Sequence, residues 1–298
     1  EMGVLGKGMA HGACSLLHAA ALGYGASIAL DLPVTVRLLD RPSKRDVNDP
    51  DQLLKHILQQ WLDDGHPLPE GFTTEDLHWG VNSKIPQKQG LKSSAAICVA
   101  AFRALSKATE VELGDADIVG LSGRAQLAAG VSMTGSIDDA WACATPGWKL
   151  VDPQAPVEEG VLLQGDGPTH EDWTVLLLIR GEREHILTFD DFEPHLGAFQ
   201  QALTALQEGK ELVALTWNGR GMVGALKDLE GRKMANDSFV NSARAAGLSG
   251  SGPAVAIVVS NQFQPTIERI TSWYNMRYKD VSILKTTFLT NETDDELE

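Results

Sequence analysis

Three stretches of the chain bring together residue types that handle charge. Residues 86–109, PQKQGLKSSAAICVAAFRALSKAT, pass through Gly90 into an alanine-rich helix. Gly90 permits close backbone approach, and Ser93 or Ser94 can cap the helix so that amides face outward. Such a terminus attracts anions, because free amides and the positive end of the helix dipole coincide there, and its hydroxyls lie within reach of a metal ion. On the serines alone, a capped helix without a ligand is the commoner explanation. Residues 131–147, VSMTGSIDDAWACATPG, set Asp138 beside Asp139 in a loop of small residues with no basic neighbour in sequence. Enclosing that pair requires a cation, a metal or a proton, which makes one of them a candidate to accept a hydroxyl proton or to bind magnesium. A solvated turn is the ordinary account of an isolated Asp-Asp pair. Residues 248–260, LSGSGPAVAIVVS, place glycines before an apolar run, where a ligand or another backbone can approach; a tight turn serves equally well there.

The elements that must carry these stretches read as α+β. A short helix is expected over Cys14–Leu22, followed by a Gly23/Gly25 turn and a pair of strands from Ala26 to Leu39 bent at Pro33. Leu53, Leu54, Ile57, Leu58, Trp61 and Leu62 have helical spacing within 51–63, and alternation over 77–85 predicts a strand ending at Pro86. A helix is expected over 115–129. Strands are expected at 173–179, 186–189 and 281–288, and helices at 195–207, 211–229, 233–246 and 265–274. The Pro-, Gly- and acid-rich stretch 152–167 marks the division into two domains, 1–155 and 156–298. The tail NETDDELE is expected to be a solvated terminus.

Composition narrows the partners. The 298 residues carry 25 Lys+Arg against 40 Asp+Glu, a net charge of −15. That balance argues against nucleic-acid backbones and anionic membranes, and no basic cluster breaks it. The three cysteines, Cys14, Cys98 and Cys143, are too few and too scattered for a disulfide framework or a zinc site, and read as buried small residues of a reducing compartment. No stretch is apolar enough to span a bilayer and no basic leader precedes a cleavage signal, so a cytoplasmic protein is expected.

Taken in order, the small-residue segment AHGACSLLHAAALGYGASIALDL (10–32), PxxxGLxSSAA (86–96), TGSIDDAWA (134–142) and LSGSGPAVA (248–256) resemble the GHMP kinase superfamily, whose members phosphorylate small alcohols with ATP. Lys92 inside GLKSS is similar to the archaeal-type shikimate kinases. The resemblance implies a two-lobed fold with the site in the cleft between N- and C-terminal domains. It implies that Pro86, Gln87, Lys88, Gln89, Gly90, Leu91, Lys92, Ser93, Ser94, Ala95 and Ala96 wrap the ATP phosphates, with Ser93 and Ser94 near magnesium. It further implies that Asp138 orients or deprotonates the attacking hydroxyl with Asp139 in support, and that Gly250, Ser251 and Gly252 help seat substrate or phosphates. Phosphoryl transfer is largely positioning and charge neutralisation, and Lys92 suits that need while lowering the pKa of Asp138 if the two are close.

Two departures stand out. The helix that in several relatives supplies a glutamate to magnesium offers Ser122, Arg124 and Gln126 in its later half, and Ala95 replaces a third small hydroxyl residue. Magnesium would then be held through fewer side chains and more water. Shikimate carries a carboxylate, for which Lys7 or Arg244 are the expected cations, with His11 and His18 nearby. The expected activity is phosphorylation of the shikimate 3-hydroxyl by a monomer or homodimer. Homoserine kinase is the alternative, and a non-catalytic metabolite-binding regulator a further one. No GxxxxGK[ST] loop is present, which excludes a P-loop kinase.

Overall fold

A computed structural model describes residues 3–183 and 185–291. The acidic tail falls outside the described residues from 292 onward.

The chain opens with two long antiparallel strands, β1 (Val4–Leu17) and β2 (Gly25–Leu39), joined by the single helical turn α1 (Ala19–Leu22). The helix expected over Cys14–Leu22 is therefore mostly strand. Its small residues look helical in isolation, but from His11 to Leu17 the strand is covered on both faces and has no polar alternation to reveal it. The pair of strands expected to bend at Pro33 is instead one strand. Pro33 lies within a continuous β2, next to the irregularity in the β1 register between His11 and Ala13, where a missing amide is tolerated.

α2 (Leu53–Asp63) buries Leu53, Leu54, Ile57 and Trp61, as the spacing predicts. β3 (His78–Ser83) pairs with the second half of β2, and β4 (Trp148–Val151) pairs with its first half. β5 (Val161–Gly165), inside the stretch expected to divide the halves, pairs with β4 and completes a five-stranded antiparallel sheet. Two helices pack on this sheet, α3 (Ser93–Thr109) and α5 (Ile137–Ala144), and α4 (Asp115–Ala128) packs against α2, α3 and α5. The alanines of α3 let it lie close against β1.

The second sheet has the order β7-β8-β6-β9, from β6 (Trp173–Ile179), β7 (Ala245–Leu248), β8 (Val255–Ser260) and β9 (Ser282–Thr286). Its helices are α6 (Leu196–Gln207), α7 (Glu211–Ala225), α8 (Leu229–Val240) and α9 (Gln264–Arg277). β7 occupies the end of the helix expected over 233–246. It is four buried residues paired to β8, so tertiary pairing overrides the helical preference of its alanines. Residues 186–189 form no strand.

The two sheets meet where Leu30 bridges Phe288 and where Asp31, Gly147 and Leu289 exchange backbone hydrogen bonds with their neighbours. One hydrophobic core runs through both halves. Among the described residues no helix is long and apolar enough to cross a membrane.

Candidate active site

A cleft of about 620 Å³ lies where the N-termini of α3 and α5 face the loops that follow β6 and β7. Pro86, Lys88 to Ala95, Asp138, Asp139, Ser251 and Gly252 line it. Of the remaining residues singled out from sequence, Gln87 turns to hydrogen-bond Asn48 beside an adjoining pocket, Ala96 lies buried under the helix start, and Gly250 packs behind Lys92.

The loop before α3 is knitted to two other segments. Leu91 O accepts from Ala13 N of β1, Gln89 O accepts from Ala254 N, and Ser249 Oγ donates to Gly90 O at 2.9 Å. Gly90 has φ 76°, and a Cβ there would stand 2.0 Å from Ser249 O, so this contact requires glycine. The sequence expectation of a serine cap is corrected. The N-cap is Lys92 itself, at φ 66° with no side-chain cap bond, and Ser93 and Ser94 are the first two helical residues. The first intrahelical amide bond runs from Ala96 N to Lys92 O, which leaves the amides of residues 93–95 open to a ligand.

The two aspartates also lie elsewhere than in a loop. They occupy the first turn of α5, whose N-cap Ser136 has φ 51° and no side-chain cap bond. Lys92 Nζ reaches Asp139 Oδ1 at 2.8 Å, with both side chains nearly buried. Ser27 Oγ on β2 donates to the same Oδ1 at 2.7 Å and stands 3.5 Å from Asp138 Oδ2. Gly25 clears the space for Asp138, since a Cβ there would fall 2.5 Å from its Cγ.

The electrostatics separate the pair. Burial, then the charge of Asp139, push Asp138 up to about 8, against the opposing pull of Lys92. Burial would raise Asp139 too, but the charge and hydrogen bond of Lys92, with the Ser27 hydroxyl, more than reverse it and hold Asp139 below the usual carboxylate range. Burial likewise works against the Lys92 ammonium, and Asp139 and Asp138 outweigh it to raise the lysine above its ordinary value. Lys92 thus pairs with Asp139 and also lowers the pKa of Asp138, the direction expected from sequence, but burial and the Asp139 charge outweigh it there.

His18, the N-cap of α1, lines the opposite wall. Its Nδ1 accepts from Ala20 N, its own amide donates to Asn218 Oδ1 of α7, and its ring lies 5.0 Å from Phe192. Burial, then Lys92, lower its pKa to about 4, so the ring is neutral near pH 7 and Nε2 carries the proton. His11 is half-buried and does not line the cleft, and desolvation lowers it too to about 4. Lys7 and Arg244 are exposed and do not line the cleft. α4 presents Gln126 to it, an amide held to Ser122 O, while Arg124 points to Asp64.

Sequence reading missed Ser15, Ser27 and Arg183. Ser15 Oγ is buried at the cleft wall without a hydrogen-bond partner, and the only hint of either serine was a hydroxyl within an apolar strand. The three cysteines are buried and free, as expected. Among the described residues no group of three or more His, Cys, Asp or Glu side chains could hold a metal. The donors available are the Ser93 and Ser94 hydroxyls and the Asp138 carboxyl. They fit a magnesium ion that keeps water and phosphate oxygens as most of its ligands.

Comparison with known proteins finds similarity in sequence and in fold. Residues 52–147 match the family described as GHMP kinases N terminal domain. A shikimate kinase from Thermoplasma acidophilum is 25% identical over 142 residues, so the chain spans about half of that relative's length, 48%. A shikimate kinase from Pyrococcus abyssi is 29% identical over 237 residues, 72% of this chain and 78% of the relative. The crystal structure of the Methanococcus jannaschii mevalonate kinase superposes with a TM-score of 0.68 at 14% identity, over 95% of this chain and 98% of that one, a likeness of fold alone.

Proposed function

We propose that this chain, a GHMP kinase by its N-terminal domain and its fold, transfers the γ-phosphoryl group of ATP to the 3-hydroxyl of shikimate, yielding ADP and 3-phosphoshikimate. A kinase phosphotransferase that uses ATP is what the family and its relatives carry. The observation that supports the specific chemistry is the buried Lys92–Asp139 pair beside Asp138, whose pKa burial raises to about 8, set against the open amides of α3.

In this reading the amides of residues 93–95 and the adjacent hydroxyls hold the nucleotide phosphates. The base sits in the smaller adjoining pocket, where Val47, Leu54, Val81 and Ile97 offer apolar contact and Asn48 an amide. Ser93 or Ser94 would hold a magnesium ion borne by the nucleotide, which would supply charge neutralisation at the phosphates. The substrate oxygen forms a bond to the γ-phosphorus as the bond to the β-phosphate bridging oxygen breaks, and Asp138, acting in its ionised form, receives the hydroxyl proton. An acceptor whose pKa lies near the working pH is well matched to that step. Asp139 keeps Lys92 in place, and Lys92 faces the transferring charge.

The test is ADP release with shikimate, homoserine, mevalonate and galactose in turn. Shikimate is expected to give the highest kcat/KM. A folded, ATP-binding protein with no shikimate-dependent turnover overturns the reading, and a preference for homoserine would reassign it to the alternative kinase.

A further inference from the structure

Three cations line the cleft among the described residues: Lys88, Lys92 and Arg183. Two are matched, Lys88 by Glu182 at 3.5 Å and Lys92 by Asp139 at 2.8 Å. Arg183 forms no ion pair with any described residue, and its one hydrogen bond runs from Nη1 to Ser251 O at 3.1 Å. Nη2 and Nε remain for a ligand.

The loop that carries it is fixed at its root. Gln89 of the phosphate loop grips the backbone of Arg180 from both sides, accepting from its amide at 3.1 Å and donating to its carbonyl at 2.7 Å. The Arg180 guanidinium is bidentate on Asp228 at 2.6 and 3.0 Å and also donates to Pro253 O. Three residues later, Arg183 is tied to the glycine loop through Ser251. The chain thus invests a buried amide and a salt bridge in presenting an unmatched guanidinium to the cleft. Arg183 is an exposed residue whose partial desolvation lowers its pKa, and its charge is felt at the part-buried His18. Ile186 and Leu187 of the same loop, with Ala19, add apolar surface beside it.

We propose that Arg183 recognises a carboxylate on the acceptor alcohol, in place of Lys7 or Arg244, and so sets the enzyme's preference for acidic over neutral alcohols. The inference rests on the reading of the cleft as a kinase site and adds the group that selects its substrate. A planar guanidinium with two free donors matches a carboxylate in bidentate fashion, which an ammonium does not. The phosphate end of the cleft already has the α3 amides and Lys92, whereas Arg183 enters from the loop after β6 in the second sheet.

The experiment measures kcat/KM for shikimate, homoserine and mevalonate, each against its neutral carboxamide, in the wild type and in Arg183→Met and Arg183→Lys. The expected result is an acid-to-amide ratio that falls about 100-fold in Arg183→Met and about tenfold in Arg183→Lys, with the KM for ATP within threefold of wild type. An unchanged ratio accompanied by a weakened KM for ATP would make Arg183 a nucleotide ligand and overturn the inference. So would a wild-type ratio near one, or the absence of any carboxylate alcohol among the accepted substrates. If homoserine or mevalonate replaces shikimate as the preferred acid, the substrate assignment falls while the ratio on that acid still decides the role of Arg183.

Discussion

The N-termini of α3 and α5 begin alike and end up opposite. Each is entered through a non-glycine residue in the left-handed region, Lys92 at φ 66° and Ser136 at φ 51°, and neither has a side-chain cap. That conformation costs on the order of 1 kcal/mol at each residue, and strain of this kind collects where function holds it in place. The first turn of α3 carries two serines and an alanine, so its positive end stays open for an anion. The first turn of α5 carries Asp138 and Asp139, so its positive end is already filled by the chain's own carboxylates. Lys92 joins the two by crossing from the cap of one helix to an acid of the other. The difference teaches that the residues of the first turn, rather than backbone geometry, decide whether a helix terminus is left open to an anion or filled by the chain's own carboxylates, which the proposed function reads as a phosphate site and a proton acceptor.

The largest way to break the contrast is Asp138→Asn. Turnover should fall about 1,000-fold, within the range for losing a general base, while the Kd for ATP stays within about tenfold. Steady-state rates with calorimetric titration of ATP check this, and parallel losses would merge the roles of the two termini. Lys92→Met should lower kcat about 100-fold and destabilise the fold by about 3–5 kcal/mol, because the Asp139 charge is left buried without its partner. Denaturant unfolding of Lys92→Met/Asp139→Asn should recover most of that stability without recovering activity.

Smaller effects sharpen the picture. Ser93→Ala/Ser94→Ala should weaken ATP binding several-fold at most, since the α3 amides remain. Asp138→Asn should also alter stability in a pH-dependent way. The folded-state pKa of Asp138 is raised, so the folded protein holds a proton that the unfolded chain releases, and stability drains away as pH climbs from near 4 through about 8. Asparagine removes that loss. The melting temperature of the variant relative to wild type should therefore rise by a few degrees between pH 6 and pH 9.

How much of this was legible in the sequence depends on range. The phosphate loop and α3 were readable because Gly90, the serines and the alanines act within one turn of chain. The pairing of Lys92 with Asp139, 47 positions apart, was not, since nothing local tells a lysine which of two adjacent acids it will meet. β1 near Cys14 and β7 read as helix from sequence because small residues suit a helix as well as a strand covered on both faces. Ser27 was passed over because a lone hydroxyl in an apolar strand has no visible partner until α5 is folded against it. Arg183 lies in a stretch without periodicity, and its significance comes from Gln89, which holds Arg180 at the root of its loop, and from Ser251, which accepts from Arg183 itself, contacts made only in three dimensions.

The claim that α5 manages a proton while α3 receives an anion is tested most directly by the side-chain carboxyl titration of the ligand-free protein, followed by carbon NMR, with Asp138→Asn and Asp139→Asn to assign the signals. The account predicts that Asp138 titrates near pH 8 and that Asp139 stays ionised below the usual carboxylate range. If both titrate near 4, the Asp138 carboxyl is an ordinary solvated acid, and the contrast between the two helix termini does not hold.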